Sequence, residues 1–247
     1  MVENKSILPL LAVIPARGGS KGLPRKNVLP FMGHPLIAHS IMLASMCPEI
    51  DRLVVSTDSD EISDVAGQYG AAVITRPLEL AQDTSPMWPV LQHAMREVEK
   101  QDGKRYGSLM LLDPTSPSRL PEDVRGFVEQ LSGTPEADGI ICVSQPEFSP
   151  FWHCVIEKGG WMTDLIDGAE SFTRRQDLPI TYRINGMLYL WRRQHVFQAS
   201  NWRQGRLLKY EVPEHRTIHI DDVFEMRKSE LLVKNGLIEF PWLGASS

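Results

Sequence analysis

Apolar positions along this chain come in two rhythms that take turns. Short runs rich in β-branched and apolar residues alternate with longer stretches in which apolar side chains recur every three to four positions. The strand-like runs are residues 7–14 (ILPLLAVI), 52–56 (RLVVS), 71–75 (AAVIT), 106–112 (YGSLMLL), 139–144 (GIICVS), 185–191 (NGMLYLW) and 207–212 (LLKYEV). Between them, residues 35–46, a stretch starting in a capping-box pattern at 58–61 and closed by Gly70, a segment running to about Lys100, residues 120–131 and residues 221–235 read as helices. Strand and helix in alternation predict a doubly wound, mostly parallel α/β sheet of Rossmann-like type. Ligands of such sheets bind beyond the carboxyl ends of the strands. Residues 145–182 break the rhythm: they are rich in aromatic residues, proline and glycine without a clear period, and read as an insertion in a single domain spanning 1–247.

The first strand runs directly into IPARGGSKGLPRKN, residues 14–27, which carries three glycines, one serine and the cations Arg17, Lys21, Arg25 and Lys26. Glycines let consecutive backbone N–H groups converge on one anion, and the cations neutralise what the amides orient. Pro24 fixes the backbone ahead of Lys26 and Asn27. The glycine spacing fits neither a Walker A loop nor a dinucleotide fingerprint, since Ser20 precedes Lys21 and Gly22 follows it. The segment therefore reads as one wall of a triphosphate pocket of another kind, the alternative being a glycine-rich surface turn.

A core of the size that 247 residues allow fits one domain. The net charge of −5 excludes nucleic acid or an anionic membrane as the main partner. Cys47, Cys142 and Cys154 are odd in number and lack metal-ligand spacing, which suits reduced thiols in a cytoplasmic protein. Lys5 and the apolar run after it look like a short signal peptide, but the run leads straight into the glycine loop and reads instead as a buried strand.

The motifs R-x-x-S-K-x-x-P-x-K-N at 17–27, VVSTD at 54–58, RPLELAQDT at 76–84, LLDPTSPSR at 111–119, RRQDLP at 174–179 and NGMLY at 185–189 occur in one order. In this the chain resembles the acylneuraminate cytidylyltransferases, the CMP-sialic acid synthetases and their relatives for bacterial nonulosonic acids. The resemblance spans nearly the whole chain. It implies transfer of CMP from CTP to an acidic nine-carbon keto sugar, with Mg²⁺ as cofactor and a homodimer as the working form. It places nucleotide binding at Ala16, Arg17, Gly18, Ser20, Lys21, Asn27, Arg76 and Asp83, with Arg17, Lys21, Lys26 and Asp221 as catalytic residues. It assigns the sugar to Arg175, Gln176, Asn185, Tyr189 and the position of Asp113, and the metal to Asp221. Asp113 is a second metal candidate by likeness to more distant sugar nucleotidyltransferases, which hold Mg²⁺ near this strand end, the alternative being a helix-capping or loop aspartate.

Four positions depart from that pattern. Asp113 stands where glutamine is usual, Trp152 where lysine is frequent, and Met87 where a small polar residue is expected. His219 replaces the first carboxylate of an Asp-x-Asp pair whose second member is Asp221. These departures leave open another sugar or nucleotide on the same fold, or a non-catalytic nucleotide-sugar binder. On residue type alone Asp58 reads first as a helix cap, Asp222 as the N-cap of the closing helix, and His219 as structural.

Overall fold

The computed structural model describes residues 6–19 and 22–244. Seven strands form the central sheet: β1 (Leu10–Pro15), β2 (Arg52–Thr57), β3 (Ala72–Thr75), β4 (Ser108–Leu112), β5 (Gly139–Ser144), β6 (Arg183–Arg192) and β7 (Leu207–Glu211). Their order is β7-β5-β6-β4-β1-β2-β3. All neighbours run parallel except β6, which pairs antiparallel with both β4 and β5. The expected mostly parallel sheet is present, with each predicted strand displaced by at most a few residues.

β1 shows why the sheet is central. All six of its residues are buried, and they alternate between two cores. Leu10, Ala12 and Ile14 join the core beneath helices α1 (Leu36–Ser45), α2 (Asp60–Gln68) and α4 (Pro121–Ser132). Leu11 and Val13 join the opposite core, beneath α3 (Met87–Asp102) and α5 (Arg193–Gln198). The two-residue period of a strand thus supplies both faces. On the second face Trp191 packs edge-on against Trp88, ring centroids 5.1 Å apart. Complete burial of such a ring stabilises the fold by about 2–3 kcal/mol.

A third, smaller core ties the carboxyl-terminal segment to the rest. Ile218, Ile220, Ile238 and Phe240 pack against Phe31 and Leu36 around α6 (Val223–Lys234). Asp222 caps α6, its Oδ1 accepting from the Glu225 N–H at 2.8 Å, as expected. This packing brings the segment before α6 to the mouth of the sheet, opposite the glycine loop. Within 145–182 the chain forms a single helical turn, Pro150–His153, and a two-stranded hairpin, Val155–Lys158 with Trp161–Asp164. Among the described residues no helix is long and apolar enough to cross a membrane.

Candidate nucleotide site

β1 hands the chain to the loop with its geometry already constrained. The Ala16 N–H donates to Ser56 O at 3.0 Å, carrying the β1–β2 pairing past Pro15. The Gly18 N–H then donates to Asp58 Oδ1 at 3.0 Å, and Asn27 Nδ2 donates back to Arg17 O at 3.2 Å. Asp58 therefore does not cap α2. That cap is Ser59, whose Oγ accepts from the Ile62 N–H at 3.5 Å. Asp58, one residue nearer the end of β2, instead reaches the loop, which comes so close that a Cβ on Gly18 would lie 3.1 Å from the Ser59 Cβ. Ser20 and Lys21 lie outside the described residues.

Downstream, the loop meets the segment before α6. A Cβ on Gly22 would stand 2.8 Å from the Asp221 carbonyl oxygen, so only glycine permits this approach. Arg25 takes a left-handed conformation, φ 58°, and pairs with Glu61. The short turn Lys26–Val28 that follows brings Lys26 Nζ to 2.7 Å from Asp221 Oδ1.

Between these walls lies a cavity of about 340 Å³. Arg17, Lys26, Asn27 and Arg76 line it together with Asp113 and Asp221, six residues from four separate stretches of the predicted site. Met87, the first residue of α3, also borders it. Arg76 is buried and donates through Nη2 to Ser56 O at 2.7 Å. Desolvation lowers its pKa, and Arg17 nearby works in the same direction against the attraction of Asp58. Arg17 pairs with Asp83, which draws the proline loop after β3 toward the glycine loop. The Oδ1 of Asn27 is buried without a hydrogen-bond partner among the described residues, an acceptor left over on the cavity wall.

The two carboxylates are held differently. Asp113 Oδ1 accepts from the Thr115 N–H at 3.0 Å and from Thr115 Oγ1 at 2.8 Å. Asp221 accepts from Lys26 through Oδ1 and from His219 Nε2 through Oδ2 at 3.0 Å. Burial pulls the Asp221 pKa upward, but hydrogen bonds and charge from Lys26 and His219 outweigh it and hold it below the usual carboxylate value. Among the described residues no three or more of His, Cys, Asp and Glu cluster as a metal cage. A pair of hard carboxylates beside an anion pocket nonetheless suits magnesium, which keeps several waters and takes phosphate oxygens as ligands.

Of the sugar candidates, Asp113 lines this cavity and the others fall elsewhere. Arg175 lines a second cavity of about 540 Å³ with Trp152, Phe148 and His153 from the insertion. Gln176 follows it in the short helical turn Arg175–Asp177 and is exposed. Asn185 is buried, and its amide is engaged within the sheet: Nδ2 donates to Ser144 Oγ at 3.0 Å and Cys142 Sγ at 3.4 Å, and Oδ1 accepts from the Met187 N–H at 3.1 Å. Tyr189 stacks on Trp191 with ring planes 19° apart. Burial, and then Asp113, push its pKa up to about 12. Neither Asn185 nor Tyr189 lines either cavity.

One supporting residue was not anticipated beyond its place in a motif. Arg119 is wholly buried under the Asp113 strand end, donating to Asp113 O at 3.0 Å, to Met187 O at 2.7 Å and to Ser40 Oγ. Burial holds its pKa down to about 10 despite Asp113. A lone cation in a stretch of proline, serine and leucine was the available signal.

Residues 11–126, the part that builds the glycine loop and the Asp113 strand end, match the cytidylyltransferase family. Across 196 residues the chain is 36% identical to the CMP-N,N'-diacetyllegionaminic acid synthase of Legionella pneumophila, covering 78% of this chain and 82% of that protein. The chain belongs to the cytidylyltransferase family. It is therefore a nucleotidyltransferase. It is also 29% identical over 213 residues to an N-acylneuraminate cytidylyltransferase of Streptococcus agalactiae, covering 85% of this chain and 50% of that longer protein. The fold is shared with CMP:2-keto-3-deoxy-manno-octonic acid synthetase, solved with CTP, at a TM-score of 0.71 and 18% identity over 92% of this chain and 99% of that one.

Proposed function

We propose that this cytidylyltransferase joins CTP to a sialic-acid-like nonulosonic acid, giving the CMP-sugar and pyrophosphate. The observation that carries the reading is the single cavity in which Arg17, Lys26, Asn27 and Arg76 face Asp113 and Asp221. Its three cations suit a polyphosphate, and its two carboxylates suit the divalent cation that accompanies one. The relatives named for legionaminic and neuraminic acids supply the sugar class.

In this reaction the anomeric hydroxyl of the sugar attacks the α-phosphorus in line, the bond to the β-phosphate oxygen breaks, and pyrophosphate leaves. Such transfers depend on positioning and charge stabilisation rather than covalent catalysis by the protein. Arg17, with Ser20 and Lys21 of the same loop, grips the triphosphate, and Lys26 meets the charge that builds on the leaving group. Arg76, held rigid by Ser56, and the free Asn27 Oδ1 orient the nucleoside end. Magnesium, held by Asp221 and Asp113, would supply Lewis-acid polarisation of the phosphoryl oxygens. Arg175, in the second cavity, is the group suited to the sugar carboxylate, since a guanidinium offers a planar bidentate fork.

The same reading makes the enzyme a cytoplasmic homodimer. It is supported by three free cysteines and by an insertion hairpin whose Trp161 and Met162 are 78% and 77% exposed, apolar surface suited to a second copy. Pyrophosphate release, measured with each of the four nucleoside triphosphates against a panel of nonulosonic acids, tests the activity. CTP with at least one of these sugars is expected to react. Release with another triphosphate only, or with none, would refute it.

A further inference from the structure

The segment ahead of α6 is stitched to the loop that follows β4. The Ile220 N–H donates to Thr115 O at 2.8 Å and the Ile218 N–H to Ser118 Oγ at 3.0 Å. Ile218 and Ile220 are buried, so the residues alternating with them, His219 and Asp221, turn outward together. His219 Nε2 donates to Asp221 Oδ2 at 3.0 Å. Its other nitrogen, Nδ1, takes the buried Ser116 hydroxyl at 2.9 Å, with Thr115 Oγ1 at 3.5 Å. Ring orientation is thereby held from the far side.

The two donors to Asp221 are not equivalent. Lys26 also lines the cavity, and a polyphosphate there competes for its ammonium. His219 has its second nitrogen committed to Ser116 and meets no such competition. We propose that His219 is a positioning residue: it keeps the Asp221 carboxylate turned into the cavity when phosphate draws Lys26 away, so that the oxygen Lys26 releases is presented to the divalent cation that accompanies the triphosphate. This rests on the reading of the cavity as a nucleotide site. Without His219 the Asp221 side chain, 64% exposed, has no other hydrogen-bonded restraint among the described residues once Lys26 moves. Outer partners of metal-binding groups typically contribute about 10–100-fold in metal affinity or activity.

The test compares His219→Ala with His219→Gln in the full chain, because the glutamine side-chain amide reaches Asp221 as Nε2 does. Mn²⁺ is titrated in the presence of CTP and read by electron paramagnetic resonance, alongside thermal melting. The alanine variant is expected to bind Mn²⁺ about tenfold or more weakly, the glutamine variant to recover most of that loss, and melting to stay in place. Three results would each overturn the proposal. These are unchanged Mn²⁺ binding in the alanine variant, equal loss in both variants, and an imidazole nitrogen coupling to Mn²⁺ in the native protein, which would make His219 a ligand. Mn²⁺ binding is read without turnover, so failure of the proposed reaction and failure of this role are separate results.

Discussion

Lys26 Nζ and Asp221 Oδ1 stand 2.7 Å apart although 195 positions separate them in the chain. The pair joins the first loop of the sheet to the last segment before the closing helix, and only 12% of the lysine side chain is exposed. In the proposed reaction Lys26 meets the charge on the leaving pyrophosphate and Asp221 that of the divalent cation, so neither is replaceable by its partner. Lys26→Ala is expected to lower kcat about 10²–10³-fold, the usual cost of removing one preorganised donor to developing charge. Asp221→Asn should lower magnesium-dependent turnover at least as far, with a measurable residual rate. The double variant should fall well short of the product of the two losses, since residues in direct contact couple. Multiplicative losses in steady-state kinetics would show that the two side chains act independently.

Gly22 gives the same junction a steric test. A methyl group there would sit 2.8 Å from the Asp221 carbonyl oxygen, a backbone atom that cannot rotate away. Gly22→Ala is expected to push the glycine loop off the Asp221 segment at a strain of about 1–3 kcal/mol. It should raise the KM for CTP while the sheet core stays intact. A variant with native KM and native melting temperature would contradict the close approach.

Arg119 is a wholly buried cation with no carboxylate among its hydrogen-bond partners in the described residues. Arg119→Met keeps an apolar stem but takes the guanidinium donor from Met187 O and Ser40 Oγ, while Asp113 O keeps the Ser116 N–H at 3.1 Å. Each orphaned buried acceptor costs about 1–3 kcal/mol. A total of about 3 kcal/mol corresponds to a fall in Tm of roughly 6–12 °C for a chain of this size. The measurement is a thermal melt, and a change under 2 °C would assign the guanidinium no structural weight.

His39 makes stability depend on pH. Its Nε2 bonds to Phe31 O at 2.8 Å, and its Nδ1 accepts from Trp242 Nε1 at 3.0 Å, which fixes the ring in its neutral form. Burial lowers its pKa from 6.5 to about 4, with His34 adding to the effect and the Phe31 carbonyl opposing it. The unfolded chain therefore binds a proton that the folded chain refuses. Stability is fully present above pH 6.5 and is lost progressively as pH falls toward 4, by on the order of 3 kcal/mol. Urea midpoints between pH 7.5 and 4.5 check this: His39→Gln should be less stable at pH 7.5 and show a shallower acid decline. An equal decline in both proteins would place the acid sensitivity elsewhere.

What could be read in the sequence follows from burial. Strands such as β1 and β5 are buried on both faces, so their apolar runs marked them without ambiguity. The hairpin Val155–Lys158 with Trp161–Asp164 was not expected, because nearly all its residues are exposed or half-exposed and no in–out alternation survives. Its signal was the Gly159-Gly160 dipeptide, whose φ values of +62° and +86° are those a two-residue hairpin turn requires. Helix α5 was missed because six residues are too few to show a helical period. In the site, the loop cations and Asp221 were visible as residue types. Ser59 capping α2, Asp58 holding Gly18 and Ser116 fixing His219 were not, since each depends on which of two adjacent side chains faces a segment far away in sequence.

Arg175 and the glycine loop occupy separate cavities, and that separation makes substrate dependence the sharpest probe of the second one. If Arg175 meets the sugar carboxylate, its loss removes a charge-assisted pair worth about 1.5–3 kcal/mol and leaves the nucleotide untouched. Arg175→Ala should raise the KM for the sugar roughly 10–100-fold, with the KM for CTP unchanged. Arg175→Lys should recover only part of the loss, because an ammonium keeps the charge but not the bidentate fork. Steady-state kinetics with each substrate varied in turn separates the outcomes. A rise in the KM for CTP alone would move Arg175 to the nucleotide. Unaltered constants for both substrates would leave the second cavity without a part in the reaction.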